Sequence, residues 1–573
     1  MDFRIAQQDM LFALRVAGAP AEDQALLCDL LPPVARLAET ELGPLDPVGD
    51  RIGAAFADGT VTMPPGFVAF YRQWVEGGWN LVDVPERWGG LGLPLSVAAP
   101  LMETWTSACM AFGLAPVLTQ GAMEVLLTHG DEALQAAWIP SLTAGTCMAT
   151  MALTEPMAGS DLNLIRTRAE RAGDGRYRLF GQKMFITYGD HDLTDNIAHL
   201  VLARLPDGAP GSRGLSLFLV PKWLPDAAGD LRQRNDVHCL GIEHKMGLHA
   251  SPTCTMGFGE HGGAVGWLIG REHQGLSCMF TMMNRARLAT GLQGVAVAAR
   301  ATQAAETYAR QRVQGSASRG GAPAPILAHP DVRRMLTDMR ARTTAIRLIA
   351  YSAAVAIDRS HNAGDADQRQ AALDRASLLT PIVKAFCSDT AIDIASTCIQ
   401  VHGGAGYVEE TGVARHLRDV RITAIYEGTN GIQAIDLVQR KIVQAGGSAI
   451  RALLAELRME AGAATAIDEP ALRDCAPLLT DALDAIAGTV DWLLEKQRTD
   501  ADRLAGATPF LDMLGRTLGA ALLLRGAMMN PTPETPIDIN WLARHFCWTY
   551  LAPVPAIARR VRQGAALLPP VSA

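Results

Sequence analysis

TCMATMALTEPMAGSDL, residues 146–162, is where the texture of the chain changes. It opens with a short apolar run, and three more follow: RYRLFGQKMFI (176–186), AHLVLARL (198–205) and GLSLFLVPK (214–222). Turn signals such as Gly173-Asp174-Gly175 and Pro206-Asp207-Gly208 separate them. Runs of this length and spacing predict strands, so residues 147–272 read as a small middle β domain. Upstream, residues 1–146 carry helical patterns broken by one polar, glycine-rich loop, GWNLVDVPERWGGLGLP, ending at Pro94. Downstream the chain turns Ala, Leu and Arg rich. Segments such as GVAVAARATQAAETYARQRVQ, VRRMLTDMRARTTAIRLIAYSAAVAID and SLLTPIVKAFCSDTAIDIASTCIQ place apolar residues three and four apart, which predicts long helices in an antiparallel bundle over 273–445. GSASRGGAPAPILAHP (315–330) and SHNAGDADQ (360–368) are loops by composition. After Ala445-Gly446-Gly447, residues 446–573 read as an additional helical domain. The fold class is therefore mainly α with a central β domain.

A chain of 573 residues exceeds the size at which one core usually keeps growing. With 49% hydrophobic and 19% charged residues it is globular. A net charge of -8 argues against general affinity for nucleic acid or anionic membrane, because phosphate binding needs clustered Lys and Arg. The start, MDFRIAQQDM, lacks the pattern of a signal peptide, and no uninterrupted apolar run looks long enough to cross a bilayer. The expectation is a cytoplasmic protein with no membrane span. Its ten cysteines stand singly in mostly apolar settings, as small buried hydrophobes do in a reducing compartment.

No GxxxxGK, GxSxG or HExxH motif is present. His244 and His249 are five apart, off a common helical face, so no metal site is expected there. Gly89, Gly90 and Gly92 lack the strand and helix that would frame a dinucleotide fingerprint. Two clusters remain. In AIYEGTNGIQAIDL (424–437) Glu427 stands among apolar and small residues. It is a first-turn acid facing a helix dipole, half of an ion pair, or a base whose pKa is raised by loss of water. In MALTEPMAGSDL, the residues Thr154, Glu155, Gly159, Ser160 and Asp161 gather after a strand. They suit either a turn with local side-chain bonds or close approach to a flat or phosphorylated ligand.

These motifs occur together and in a fixed order, and at this point the chain resembles the acyl-CoA dehydrogenase family. The resemblance rests on LVDVPERWGGLGLP, MALTEPMAGSDL, GQKMFITYGDHDLTDNIAHLVLARL, IEHKMGLHASPT, MMNRARLATGLQG, YARQRVQG, VHGGAGYVEE and LRDVRITAIYEGTNGIQ, over roughly residues 60–441. The extra C-terminal helices resemble the family's long-form branch, which includes enzymes acting on 3-methylmercaptopropionyl-CoA. The resemblance implies a helical N-terminal domain, a β domain and a helical bundle around FAD, with the C-terminal helices appended. It implies oxidation of an acyl-CoA thioester to a trans-2-enoyl-CoA, electrons going to an electron-transfer flavoprotein. A flavin-bearing DNA-associated protein, like the alkylation-response relatives, is the alternative, disfavoured by the near-neutral tail and the retained YEGT. A homodimer is expected, because relatives with the added domain tend to cover with it the surface on which shorter ones form tetramers.

Carried over residue by residue, Glu427 falls on the family's catalytic base, whose backbone N–H also helps stabilise the enolate oxygen. Met151, Leu153, Thr154, Phe185, Thr187 and Thr429 fall on flavin contacts, with Phe185 standing where many relatives have tryptophan. Arg312, Gln314, Gln400, Gly403 and Gly404 fall on positions that reach a neighbouring subunit's FAD phosphates and adenine. RVQG is one residue shorter than the common form, which leaves Gln314 less secure than Arg312. Ser160 falls near the CoA moiety. Arg285 and Arg287 compete for the arginine near the base: the MMNxAR spelling prefers Arg287, whereas spacing to Gly291 prefers Arg285. Acyl chain length is not legible in the sequence.

Overall fold

Asp58 and Gly59 both adopt left-handed backbone, with φ of 50° and 74°. This is the primed two-residue turn that Asp-Gly favours, and it folds β1 (Ala55–Ala57) back on β2 (Thr60–Thr62). The region expected to be helical around one loop thus also carries a hairpin. The GWNLVDVPERWGGLGLP loop is built from two short 3-10 turns, Trp79–Leu81 and Glu86–Trp88, with Gly89 and Gly92 as left-handed turn residues. This computed structural model describes residues 3–226, 230–317 and 320–569. Met1 and Asp2, residues 227–229, two residues of the loop expected over 315–330, and the last four residues of the C-terminal segment lie outside the described residues.

The chain forms two units. The sheet unit comprises Ala38–Leu93 and Ala108–Ala286. Its strands are β3 (Cys147–Ala152), β4 (Arg168–Arg171), β5 (Tyr177–Thr187), β6 (Asn196–Arg204), β7 (Leu215–Pro221), β8 (Trp223–Pro225), β9 (Leu231–Arg234), β10 (Val237–Ile242), β11 (Thr253–Phe258) and β12 (Ala264–Ile269). Eight of them make one sheet in the order β10-β11-β5-β12-β7-β6-β3, with β4 pairing β5 and β6. β3 runs parallel to β6 while β6 and β7 are antiparallel. Every residue of β7 is buried, which needs cover on both faces. Leu200, Leu202, Leu217 and Leu219 point into one core with Leu126 and Met282, whereas Val201, Ala203, Phe218 and Val220 point into another with Leu179 and Phe258. The helix Met110–His129 packs into the first of these cores. By length and composition alone it is apolar enough to cross a membrane, although its apolar run is interrupted. Yet 78% of its most apolar window is buried inside the protein, as the core helix of a globular domain would be.

The helical unit comprises Met1–Leu37, Pro94–Ser107 and Arg287–Ala573. Its frame is the helix Gly275–Gln311 from Arg287 onward, with Pro330–Asn362 and Ala366–His402. Pro330 opens one at a position where its missing N–H costs nothing. The Asp365 carboxylate caps the other, accepting from Gln368 N–H at 2.7 Å. Gly291 and Gly294 let the 275–311 helix lie against the 366–402 helix. A Cβ on Gly291 would sit 2.3 Å from Val383 Cγ1, and one on Gly294 2.8 Å from the Cys387 carbonyl. That close approach brings Arg287, one turn before Gly291, towards Lys384. Helices Ser448–Ala466, Cys475–Leu494 and Ala507–Met528 follow in the same unit, with the shorter Ile539–Phe546, Cys547–Leu551 and Val554–Val561 after them. Gly515 receives the ring of Phe386, so the C-terminal helices pack directly on the bundle. At the centre, Arg347 and Tyr351 satisfy the wholly buried Glu103 at 2.7–3.0 Å. Nine of the ten cysteines are buried and Cys28 is exposed.

Candidate active site

The segment bearing Glu427 ends a 3-10 turn, Arg421–Ala424, and precedes a helix that begins only at Asn430. Thr429 is that helix's N-cap, its Oγ1 accepting from Ile432 N–H at 3.3 Å. Glu427 therefore stands outside the first turn, and the helix-dipole reading of this acid does not hold. Its backbone is left-handed, at φ 57°, a conformation that costs a non-glycine residue about 1 kcal/mol or more. The fully buried Gln433 holds the turn, its Nε2 donating to the Glu427 carbonyl at 3.2 Å. The Glu427 N–H donates to no acceptor among the described residues.

The residue keeps some accessible surface, yet its Oε2 is sealed from solvent and makes no hydrogen bond among the described residues. Burial pushes its pKa up to about 7, against the pull of Arg287 and Lys384, whose charges favour the carboxylate. Neither cation reaches ion-pair distance of it. Arg287 lies 3.8 Å from Asp436, and Arg440 reaches the same carboxylate at 3.0 Å. Tyr426 donates to Gln293, and burial raises its phenol pKa. The two arginines left open by the sequence separate here. Arg285 belongs to the sheet unit and is ion-paired there with Asp83, with Glu124 at 3.5 Å. Arg287 is the one whose charge acts on Glu427.

In the sheet unit, the end of β3 and the end of β5 meet, the Met184 N–H donating to the Thr154 carbonyl at 3.0 Å. This brings Met151, Leu153 and Thr154 beside Phe185 and Thr187. β11 pairs Cys254 with Ile186 but Met256 with Lys183, so β5 bulges by one residue there. The bulge sets Phe185 at φ 59° and leaves it 54% exposed, as bulges next to functional sites commonly re-aim a side chain. Glu155, next to Thr154, is a different kind of acid. Its carboxylate accepts from Lys183 Nζ at 2.9 Å, the Thr167 hydroxyl at 2.6 Å, and the N–H groups of Arg166 and Thr167 at 2.7 and 3.0 Å. Burial pushes its pKa up, but Lys183 and these donors outweigh burial and hold it below the usual carboxylate range. Asp161 accepts from Asn163 N–H at 3.0 Å and closes a local turn, while Gly159 and Ser160 are exposed.

A third group sits where two helices of the helical unit end. The rings of Tyr308 and His402 stack 4.2 Å apart, which places Arg312, four residues past Tyr308, at the same end as Gly403 and Gly404. Arg312, Gln314, Gln400, Gly403 and Gly404 are all exposed. The Arg312 guanidinium reaches Gln314 Oε1 at 3.5 Å and no carboxylate among the described residues. A Cβ on Gly403 or Gly404 would meet nothing within 4 Å, so the backbone there is open to a ligand. His249, considered above as a metal ligand, instead bonds the carbonyls of Asp50 and Lys245. The sequence reading missed Lys384, Asn430 and Gln433. The signal for the first was a lone cation in the apolar run LLTPIVKAF.

A desolvated carboxylate with open main-chain N–H suits the abstraction of a proton from carbon. Comparison with known proteins places most of the chain. Residues 35–146, 150–260 and 273–442 match the families described as acyl-CoA dehydrogenase N-terminal, middle and C-terminal domains. Residues 450–536 match "Acetyl-CoA dehydrogenase C-terminal like". The chain is 42% identical over 528 residues to a 3-methylmercaptopropionyl-CoA dehydrogenase of Ruegeria pomeroyi, covering 90% of this chain and 89% of that protein. Its fold is similar to that of Caenorhabditis elegans ACDH-11 in complex with C11-CoA, with TM-score 0.79 and 20% identity over 95% and 90% of the two chains. It is also similar in fold to a Bacillus anthracis acyl-CoA dehydrogenase complexed with FAD, with TM-score 0.71 and 21% identity over 98% and 90%. The chain belongs to the acyl-CoA dehydrogenase family. It is an oxidoreductase of that class, in the branch with a further C-terminal helical domain, and its cofactor is FAD.

The residues present fit that cofactor. Thr154 and Thr187 offer hydroxyls beside the exposed aromatic face of Phe185, as a flat ring with polar edges needs. The fork of Arg312, which meets no carboxylate among the described residues, and the open glycine backbone suit a diphosphate.

Proposed function

We propose that the protein catalyses α,β-dehydrogenation of an acyl-CoA thioester to a trans-2-enoyl-CoA and passes the electrons to an electron-transfer flavoprotein. The observation that carries this reading is the Glu427 carboxylate, its Oε2 sealed from solvent and without a hydrogen bond among the described residues, and its pKa raised to about 7. In the proposed mechanism the Glu427 carboxylate takes the α-proton, and the electron pair of that C–H bond becomes the new double bond as the β-hydrogen leaves with its own pair. Bound FAD supplies the two-electron acceptor for that hydrogen. A base with pKa near the working pH combines a sizeable ionised fraction with proton affinity enough for a weak carbon acid. The open Glu427 N–H would polarise the thioester carbonyl and stabilise the enolate oxygen.

Met151, Leu153, Thr154, Phe185, Thr187 and Thr429 would contact the flavin, and Ser160 would lie along the CoA moiety. Arg287 would keep the base ionisable. Arg312, Gln314, Gln400, Gly403 and Gly404 would serve the FAD of a partner in a homodimer, a reading supported by their shared exposure. Light scattering tests that assembly, and a stable monomer contradicts it. The comparisons do not favour the DNA-associated alternative.

The test of function is anaerobic mixing of the purified yellow protein with saturated acyl-CoA esters from four carbons upward, with 3-methylmercaptopropionyl-CoA in the panel. The expected result is bleaching of flavin absorbance by at least one ester, formation of its 2-enoyl-CoA, and reoxidation by an electron-transfer flavoprotein. A flavin that no ester bleaches contradicts the proposal.

A further inference from the structure

The Glu427 turn is gripped from the 366–402 helix by a polar chain that runs from the buried Lys384 and Asn430 out to the exposed Asp389. Lys384, with no exposed surface, donates from Nζ to Asn430 Oδ1 at 2.8 Å. Asn430, three residues past the acid, donates from Nδ2 to Asp389 Oδ1 at 2.7 Å and to Ser388 Oγ at 2.9 Å. A buried lysine with one hydrogen bond to a neutral amide, rather than to a carboxylate, is an expensive arrangement. The chain ends at a cavity of about 90 Å³ whose walls include Asp389, Asn430, Arg342, Asp512, Arg516 and Tyr550. The last three come from the C-terminal segment, so that extension helps to line the outer end of the chain.

Resting on the proposed function, we propose that Lys384 is a positioning residue for Glu427: anchored by Asn430 and Asp389, it holds a positive charge towards the turn that carries the acid and sets the pH at which that acid ionises. Within the helical unit, the charged and titratable groups bearing on Glu427 are Arg287, Lys384 and the neighbouring Tyr426. Arg287 is itself faced by Asp436, Arg440 and Lys441. Lys384 is faced by Glu427, Asp389 and Arg287. Asp389 is faced by Lys384, Asp393 and Asp512. Burial lowers the Lys384 pKa to about 8, while Glu427 and Asp389 act to keep it protonated. At neutral pH the amine is therefore a cation, and its loss raises the proton affinity of Glu427. An opposite charge nearby typically shifts a carboxyl by about 1–3 units.

The test reads Glu427 without turnover, by infrared difference titration of the holoprotein against Glu427→Gln, so its outcome is separate from the assignment of substrate. In Lys384→Met the carboxyl signal should titrate about one pH unit or more above wild type. In Lys384→Arg it should return to within about half a unit. In Asp389→Asn, which leaves the amine less firmly protonated, it should move in the same direction as Lys384→Met but by less. Where an ester bleaches the flavin, the acid limb of the pH–rate profile should move with it in Lys384→Met, about fivefold slower at pH 7 and recovered by pH 9. An unchanged carboxyl titration in Lys384→Met, or a rate loss equal at every pH, overturns the proposal. Should Lys384→Met fail to fold, an unchanged titration in Asp389→Asn overturns it and an upward shift supports it.

Discussion

The two units each hold a glutamate beside a turn with a carboxylate oxygen withdrawn from water, and the two acids have opposite surroundings. Glu155 in the sheet unit meets a lysine, a hydroxyl and two main-chain N–H groups, and its pKa falls. Glu427 in the helical unit has one oxygen bonded to nothing described, feels its cations only at longer range, and its pKa rises. Burial acts in the same direction on both. What differs is whether the fold returns hydrogen bonds for the water it removes. A carboxylate so repaid is part of the scaffold, here fastening the strand end beside Thr154; one left unpaid is ready to accept a proton. The contrast assigns opposite consequences to the same chemical change at the two positions.

Glu155→Gln should be the largest structural effect. It strands the Lys183 ammonium, which has no exposed surface and is already lowered to about 8 by burial. Breaking one partner of a buried pair costs about 3–5 kcal/mol, measurable by urea unfolding, and Lys183→Met in the same chain should restore part of it. The wild-type pair contributes above the unfolded carboxyl pKa and is lost as pH falls through the lower folded value.

Glu427→Gln should do the reverse. Between about pH 4.5 and 7 the folded protein holds a proton that the unfolded chain has released, so its stability falls as pH rises. Above pH 7 the ionised acid costs about 3 kcal/mol, being about 2.5 units at 1.36 kcal/mol each. The glutamine variant should be more stable than wild type by up to that amount at pH 8, with the gap closing towards pH 4.5. Equal unfolding midpoints at pH 8 would show that Glu427 is not desolvated.

Two smaller effects sharpen the account of how the base is placed. Gly291→Ala inserts a methyl 2.3 Å from Val383 Cγ1. It should cost about 1–3 kcal/mol as overpacking and, by parting the helices that carry Arg287 and Lys384, raise the Glu427 pKa. Thr429→Ala removes the N-cap of the helix that begins at Asn430, together with a proposed flavin contact, and should cost the apoprotein about 1 kcal/mol of stability.

The alternation of helices and strands was legible because period-2 and period-3.6 patterns both follow from burying one face of an element. The resemblance then assigned the site positions. What was not legible depends on partners distant in sequence. The Asp58-Gly59 hairpin was overlooked inside a helical stretch although Asp-Gly is its usual turn. In Met110–His129, Gly113, Thr119, Gln120 and Gly121 break the apolar run, and only packing shows that most of it is buried. The Phe185 bulge comes from register against β11, which lies about seventy residues on. Nothing local announces that Glu427 is left-handed, that Lys384 points at Asn430 rather than an acid, or that Arg285 has its own carboxylates in another unit. Glu155 and Glu427 look alike in sequence, each next to a Thr or Tyr and ahead of a turn residue. Their hydrogen-bond partners give the physical reason for their different roles.

The central claim, that the unpaired acid is the base, is tested most directly by stopped-flow anaerobic bleaching of the flavin in Glu427→Gln. Volume and shape are nearly preserved and only the proton acceptor is lost. The account predicts that FAD stays bound, that a bleaching acyl-CoA still perturbs the flavin spectrum, and that bleaching slows about 10⁴-fold, the upper end for a general base. Bleaching of Glu427→Gln at the wild-type rate would contradict it.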